Sequence, residues 1–469
     1  MHHIGGAWVP PAGGGSLQEI DPRTGQPSFR IARGNADDVA RAVAAAQAAQ
    51  PGWAARRALE RGAALLAVAR ALRADGERLA DIDQIETGRP RPQCLIDVEV
   101  AAQYFEFYGG LAPAIEGETL DLGAGRHCYT LREPYGCIGV ILPWNAPLNQ
   151  AARAVAPALA AGNTVVVKPS EFTSVSALRL AELVLVAGLP TGAVNVVTGT
   201  GDETGVPLVA HPGVAKLAFT GSLRAGRAIG MAAAERVIPV TLELGGKSPD
   251  LVFADADLPA AARGAVRGFT VNAGQACIAG SRVLVERSVL PAFNELVRDE
   301  LMRLRTGAED DAQVGPIITP LQFARVCEFL ALAREEGGTL LGGGAPLPGA
   351  GHFVPPTAYA DLPADSRLWR EEIFGPVGIL VPFDDEAQAL VLANDTPYGL
   401  AAGVWTRDLA RAHRVARQLQ AGQVYVNEYP GGGIETPFGG YKASGIGREK
   451  GREALHHYTQ LKTVIMKLE

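Results

Sequence analysis

A reactive side chain matters most where its neighbours are small enough to admit a second molecule. Cys277 is placed that way, in NAGQACIAGSR (272–282). A thiolate there is a nucleophile open to close approach. The competing reading is a buried structural thiol, the commoner state of a lone cysteine. Glu243, in TLELGGKSP (241–249), closes an apolar run just before Gly245 and Gly246. Burial raises its carboxyl toward the range of a general base, unless Lys247 or a backbone N–H pairs with it. Asn145, in LPWNAPL (142–148), stands between a strand-like and a helical run. Its amide can donate to a developing oxyanion or cap the helix. Lys168 and Glu171, in VVVKPSE, put a cation and a carboxylate where a strand ends, the edge at which open α/β sheets bind ligands. There a carboxylate can accept from ribose hydroxyls, or the two side chains form a surface ion pair. FTGSLRAG (219–226) runs a strand through Gly221 and Ser222 into a helix, whose first N–H groups and dipole suit a phosphate. Nearby GTGDETG (199–205) has the glycines but also Asp202 and Glu203, which repel one.

These residues need a sheet to hold them. From 137 onward, short β-rich runs alternate with helical ones: CIGVIL (137–142), NTVVVK (163–168), AVNVVT (193–198), AKLAFT (215–220) and PVTLEL (239–244). The helices between them are expected over 148–160, 174–187, 203–210 and 222–235. Such alternation builds βαβ units and a parallel sheet covered on both faces. A second set follows: SPDLVF (248–253), SRVLVE (281–286), VGILVP (377–382), LAAGVWT (400–406) and GQVYVN (422–427), with helices near 257–270, 290–303, 385–394 and 408–419. The fold class is α/β. Residues 1–30 read as irregular or β-rich. In 36–110, Asp37 and Asp38 open an Ala-rich helix that Pro51-Gly52 stops, and helical blocks follow over about 54–85 and 93–109. The final YTQLKTVIMKL (458–468) reads as a strand, in the chain's own sheet or completing one in another subunit.

Composition bounds the alternatives. The 469 residues are 47% hydrophobic and 20% charged, an ordinary globular balance that predicts two to four domains. The net charge of −7, with no basic run, argues against a nucleic-acid or anionic-membrane surface. Five cysteines without a CxxC pair suit a reduced, cytoplasmic protein. The start MHHIGGAWVPP has neither the cationic nor the apolar part of a signal peptide, and no apolar run is long enough to span a membrane. Lys and Arg total 43, of which only seven are Lys, so each lysine is conspicuous.

In combination these pieces resemble the aldehyde dehydrogenase superfamily, of the NAD(P)-dependent hydrolytic type. Nine motifs occur in that family's order: PWN (143–145), KPSE (168–171), FTGS (219–222), LELGGKSP (242–249), GQAC (274–277), EEIFGPV (371–377), NDTPYGLAAGVWT (394–406), YVN (425–427) and PFGGYKASGIGRE (437–449). The resemblance implies that Cys277 adds to the aldehyde carbonyl, and that the Asn145 side chain and the Cys277 backbone N–H hold the oxyanion. It implies that Glu243 activates the water that releases the acid, and that Glu449 serves a proton relay. For the cofactor it implies Lys168 and Glu171 at the adenosine ribose, Ser222 and Trp144 at the pyrophosphate, Glu372 at the nicotinamide ribose and Phe374 beside the nicotinamide. Ser170, Gly221, Leu244 and Gly245 complete that set. Glu171 favours NAD, because a 2′-phosphate would meet a carboxylate, while Lys168 keeps NADP possible. No metal enters. The implied organisation is a Rossmann-like cofactor domain (1–115 and 135–245), a catalytic α/β domain (246–445) and a small β oligomerisation element (116–134 and 455–469) that joins a dimer or tetramer.

The chain departs from many members of that family along the substrate tunnel. Ala146, Gln150 and Arg153 stand where aromatics are common, and Gly431 and Gly432, before Phe438, where bulk is common. With Ala276 and Ile278 beside the thiol, these residues imply a wide, polar tunnel. Arg153 then either favours an aldehyde carrying an anion, as in a semialdehyde dehydrogenase, or pairs with a protein carboxylate. A CoA-acylating dehydrogenase is the other alternative, and the presence of Glu243 argues for hydrolysis instead.

Overall fold

The computed structural model describes residues 1–468. Its first sheet has eight strands. Five are parallel: Cys137–Ile141, Thr164–Lys168, Val194–Val196, Lys216–Thr220 and Val240–Glu243. Cys137–Ile141 lies at the middle, with Thr164–Lys168 on one side and Lys216–Thr220 on the other. The strand order therefore reverses between Cys137–Ile141 and Lys216–Thr220, and a crevice opens beyond their carboxyl ends. The segments leaving these two ends carry Trp144-Asn145 and Gly221-Ser222. Antiparallel strands close both edges: Gly445–Ile446 beside Val240–Glu243, and the hairpin His2–Ile4 with Ala7–Val9 beside Val194–Val196.

The second sheet has seven strands, in the order Thr339–Gly342, Thr357–Ala360, Val377–Phe383, Arg282–Glu286, Pro249–Val252, Ala401–Trp405 and Gln423–Val426. All neighbours are parallel except the first pair. The helix Pro320–Glu335 and the strands Thr339–Gly342 and Thr357–Ala360 had no counterpart in the sequence reading, because 304–376 lacks clean alternation.

The helix Pro147–Ala160 is buried at every residue but Asn149. Its alanines let it lie between the first sheet and the helices Ala58–Ala74 and Arg91–Leu111. A helix enclosed on all sides is normally apolar throughout, so Arg153 within it requires charged partners.

Two expectations need correction, and a third, left open between two readings, is decided. The first helix does not stop at Pro51-Gly52; it runs Ala36–Ala54. Trp53 is fully buried and its indole N–H donates to the Leu159 carbonyl at 3.0 Å, which fastens the last turn. The block over 54–85 is two helices, Ala58–Ala74 and Gly76–Thr87, meeting at Asp75. The terminal strand Thr459–Lys467 pairs antiparallel with Arg126–Pro134 of its own chain, in unbroken register from Thr459 opposite Pro134 to Lys467 opposite Arg126. Thr119–Leu120 completes that three-stranded sheet, in which Thr459–Lys467 is an edge. Among the described residues, no helix is long and apolar enough to cross a membrane.

Candidate active site

Cys277 sits at the end of a loop whose backbone is held in an unusual form. Asn272, Ala273 and Gly274 all have positive φ, at 53°, 53° and 70°. A Cβ at Gly274 would stand 2.0 Å from the Gly375 carbonyl oxygen, so the loop passes the bend at Gly375 only as glycine. Gln275 anchors the turn: its Nε2 donates to the Asn272 and Pro316 carbonyls, and its Oε1 accepts from the Ile318 N–H at 2.8 Å. The Cys277 N–H makes no hydrogen bond among the described residues. Burial pushes the Cys277 thiol well above its ordinary pKa, and the charge of Glu243 pushes it further.

Glu243 is the last residue of its strand and lies opposite Thr220 in the register. The two glycines beyond it permit close contacts. A Cβ on Gly245 would stand 2.2 Å from Glu372 Oε2, and one on Gly246 would stand 2.4 Å from the Cys277 carbonyl oxygen. Glu372 Oε1 accepts the Gly246 N–H at 3.0 Å. Burial raises the Glu243 carboxyl to about 7, against the opposing pull of Arg153. Its partner is Arg153 and not Lys247, whose buried Nζ makes no hydrogen bond. Arg153 Nη2 lies 3.4 Å from Glu243 Oε2, and its Nε is ion-paired with Glu449. Burial alone would lower the Arg153 pKa, but the two carboxylates hold it above its ordinary value.

Asn145 does not cap the helix that follows; Ala146 holds that place. The Asn145 Nδ2 donates to the Gln275 carbonyl at 2.8 Å, which uses one of its two N–H groups. Two cavities meet at Asn145, Gln150 and Cys277. The larger, about 1140 Å³, is lined by Ala146, Arg153, Ala276, Ile278 and Phe438 among others. The smaller, about 180 Å³, is lined by Trp144, Gly221, Ser222, Glu243, Leu244, Gly245, Glu372 and Phe374.

The smaller cavity lies at the switch point of the first sheet and fits a dinucleotide's pyrophosphate and nicotinamide end. Ser222 caps the helix Leu223–Glu235, accepting from the Ala225 N–H at 3.3 Å, so the first turn of that helix faces the crevice. Trp144 and Phe374 meet edge to face at 5.3 Å. Phe374 has a positive φ of 56°. Burial raises the Glu372 carboxyl to about 7. Lys168, Ser170 and Glu171 lie outside this cavity, at the end of the adjoining strand, with Lys168 Nζ 3.1 Å from Glu171 Oε2. The Lys168 amine is lowered by burial. In the glycine-bearing segment at 199–205, Glu203 is turned outward into an ion pair with Arg33 at 2.6 Å.

A two-cavity site joined at a thiol, on two α/β sheets, has close parallels. The sequence profile of the aldehyde dehydrogenase family matches residues 8–464. The chain belongs to the aldehyde dehydrogenase family. A crystal structure described as a putative aldehyde dehydrogenase from Burkholderia cenocepacia superposes with a TM-score of 0.98 at 47% identity, over 100% of both chains. An NAD-dependent aldehyde dehydrogenase from Sinorhizobium meliloti gives 0.98 at 40% identity, over 100% of this chain and 94% of that one. The NAD+ complex of an aldehyde dehydrogenase from Bacillus cereus gives 0.98 at 37% identity, over 100% and 96%.

For this aldehyde dehydrogenase one tunnel reading left open is decided, in favour of a paired Arg153, and one expectation changes. Arg153 is not a free cation for an anionic substrate, because Glu243 and Glu449 occupy its guanidinium. Gly432 lines the large cavity as expected, joined by Gly433, but Gly431 does not and lies against the Glu428 side chain. Sequence reasoning also missed Tyr104, Thr270, Gln322, Arg325 and Lys450, which line one cavity or the other. The scarcity of lysine was a signal for Lys450, which stands one residue beyond the last motif.

Proposed function

We propose that this aldehyde dehydrogenase oxidises an aldehyde to its carboxylic acid with NAD, through a covalent thioester on Cys277. The observation that carries the reading is the meeting of the two cavities at Cys277 and Asn145, with Glu243 on the wall of the smaller one. The Glu243 carboxyl, raised to about 7, takes the thiol proton of Cys277. The thiolate adds to the carbonyl carbon and makes it tetrahedral. The free N–H of Asn145 Nδ2 and the unpaired Cys277 N–H donate to the resulting oxyanion. NAD supplies the acceptor for the hydride that leaves this carbon. Glu243, having released the thiol proton to solvent, then removes a proton from water as the water oxygen attacks the thioester, and the Cys277 sulfur leaves as thiolate. Glu449, which shares the Arg153 guanidinium with Glu243, is read as the proton-relay carboxylate, with the proton carried by water and not by the arginine.

For the cofactor, Trp144 and Ser222 would hold the pyrophosphate, Glu372 the nicotinamide ribose, and Lys168 with Glu171 the adenosine ribose. Gly221, Leu244 and Gly245 shape the wall, and Ser170 supports the Lys168 loop. The same reading includes a cofactor domain over 1–115 and 135–245, a catalytic domain over 246–445, and self-association through the open edge of Thr459–Lys467, where Leu461, Ile465 and Met466 are exposed. A cytoplasmic location fits the five free cysteines. The test follows the near-ultraviolet absorbance of reduced nicotinamide with NAD across an aldehyde panel, with and without CoA. NAD-dependent turnover without CoA is the expected result. No signal from any aldehyde overturns the reading, and a strict CoA requirement replaces hydrolysis with thiol transfer.

A further inference from the structure

Several of the charged groups around the large cavity are matched by ion pairs. Arg89 is taken by Asp83 and by Asp97 at 2.5 Å, and Arg153 by Glu243 and Glu449. Glu106 is taken by Arg73 at 2.8 Å and Glu300 by Arg303 at 2.6 Å. Three cations on the cavity wall make no ion pair among the described residues: Arg263 and Arg267, which are exposed, and Lys450, which is half-buried and closest to the Phe438 ring. The Lys450 Nζ lies 5.5 Å from the centre of the Phe438 ring, and it makes no hydrogen bond or ion pair among the described residues. Lys216 donates to Thr241 at 2.7 Å, Lys442 to the Asn394 carbonyl at 2.8 Å, and Lys462 pairs with Glu133 at 2.5 Å, whereas the buried Lys247 also lacks a partner but does not line this cavity. The facing acid, Glu435, is exposed at the rim.

The backbone is specialised to put Lys450 there. Lys450 has a positive φ of 59°, a conformation L-residues with a long side chain rarely adopt. The turn is held from both sides. Phe438 and Glu449 exchange backbone hydrogen bonds at 2.6 and 2.7 Å, and the Gly451 N–H donates to the Ile434 carbonyl at 2.7 Å. Backbone held in a sparsely populated form by its surroundings is where function is to be sought. Arg153 Cζ also sits 5.0 Å from the Phe438 ring, so one ring carries two cations. Arg153 is already neutralised by carboxylates; Lys450 is not. An anion entering the cavity would supply the missing counter-charge in a site shielded from bulk water. Burial and the nearby Arg153 lower the Lys450 amine to about 8, a pressure that a bound anion relieves.

We propose that Lys450 reads a carboxylate on the substrate, so that the preferred aldehydes carry a carboxylate at the end remote from the reacting carbonyl. The proposal rests on the dehydrogenase reading above and names its substrate class. It assigns to Lys450 the task that the sequence had offered to Arg153.

The test compares benzaldehyde with 4-carboxybenzaldehyde, which share one ring, in wild type, Lys450→Met and Lys450→Arg. Wild type is expected to prefer the carboxylate in kcat/KM. Lys450→Met should cut that preference by about 10-fold or more, through KM, and Lys450→Arg should restore most of it. A second readout needs no turnover. Benzoate should protect Cys277 from alkylation in wild type and protect it about 10-fold less well in Lys450→Met. Equal losses on the two aldehydes, or equal benzoate protection in both proteins, overturn the role of Lys450. Failure of wild type to oxidise either aldehyde overturns the dehydrogenase reading instead, and the two failures are distinct.

Discussion

Arg153 Nη2 stands 3.4 Å from Glu243 Oε2 in the buried interior, while Glu449 is ion-paired with the other edge of the same guanidinium. The proposed base is therefore wired to a second carboxylate through one cation on an otherwise alanine-rich helix.

Removing that cation should have two separable effects. Arg153→Met leaves Glu243 and Glu449 buried without a partner, a change that costs about 3–5 kcal/mol in comparable buried pairs. The melting temperature should fall accordingly. Because Arg153 favours the charged form of Glu243, its loss should also raise the pKa of the base above about 7 and move the acidic limb of the rate profile to higher pH. Arg153→Lys should recover part of both losses. An unchanged pH profile in a folded Arg153→Met protein would remove Arg153 from any role at the base.

Glu243 sets the pH dependence of activity and of folding in opposite directions. The carboxylate is the active form, so kcat/KM should rise with pH through about 7. For stability, the folded pKa of about 7 lies above the ordinary value of 4.5. The native state therefore holds more protons than the unfolded chain between these values, and this group's contribution declines as pH rises through that window. Glu243→Gln should flatten that part of the melting curve against pH. The same variant should lower turnover by about 10²–10⁴-fold, because both activation of the Cys277 thiol and deacylation lose their base.

Asn145→Ala removes one proposed oxyanion donor and one of the two side-chain donors to the Gln275 carbonyl, which keeps Asn272 Nδ2 at 3.1 Å. Loss of one such donor lowers kcat by about 10²–10³-fold. The expected signature is a fall in kcat with little change in the KM for NAD. A fall confined to KM would place Asn145 among binding groups only.

Gly274→Ala tests the loop that delivers the thiol. At φ +70°, with a Cβ 2.0 Å from the Gly375 carbonyl, the loop must shift. The cost expected is about 1–3 kcal/mol, concentrated at Cys277. Alkylation of Cys277 by iodoacetamide should change rate, and turnover should drop, while far-ultraviolet circular dichroism stays native.

Much of the framework was legible because it depends on local pattern. Alternating β and helical runs specified five parallel strands around a switch point, and FTGSLRAG announced a helix whose first turn faces the crevice. Nine ordered motifs named the family before any distance was known. Other features were not local. Whether Asn145 capped a helix or faced the thiol depended on a loop 130 residues away, whose Gln275 carbonyl claims its amide. The terminal strand found its partner at Arg126–Pro134, more than 300 residues earlier in the chain, which pattern alone could not choose over another subunit.

The sequence by itself determined which side chains exist to do chemistry and the sheet edges that carry them, since both follow from residue type and period. Only the tertiary structure decided which charges are spent. Arg153 and Lys450 look alike as cations in a string of letters. One is consumed by Glu243 and Glu449, and the other is left facing a cavity. That difference depends on which carboxylates folding brings within reach, and a buried charge acts on a substrate only when the protein has not already neutralised it.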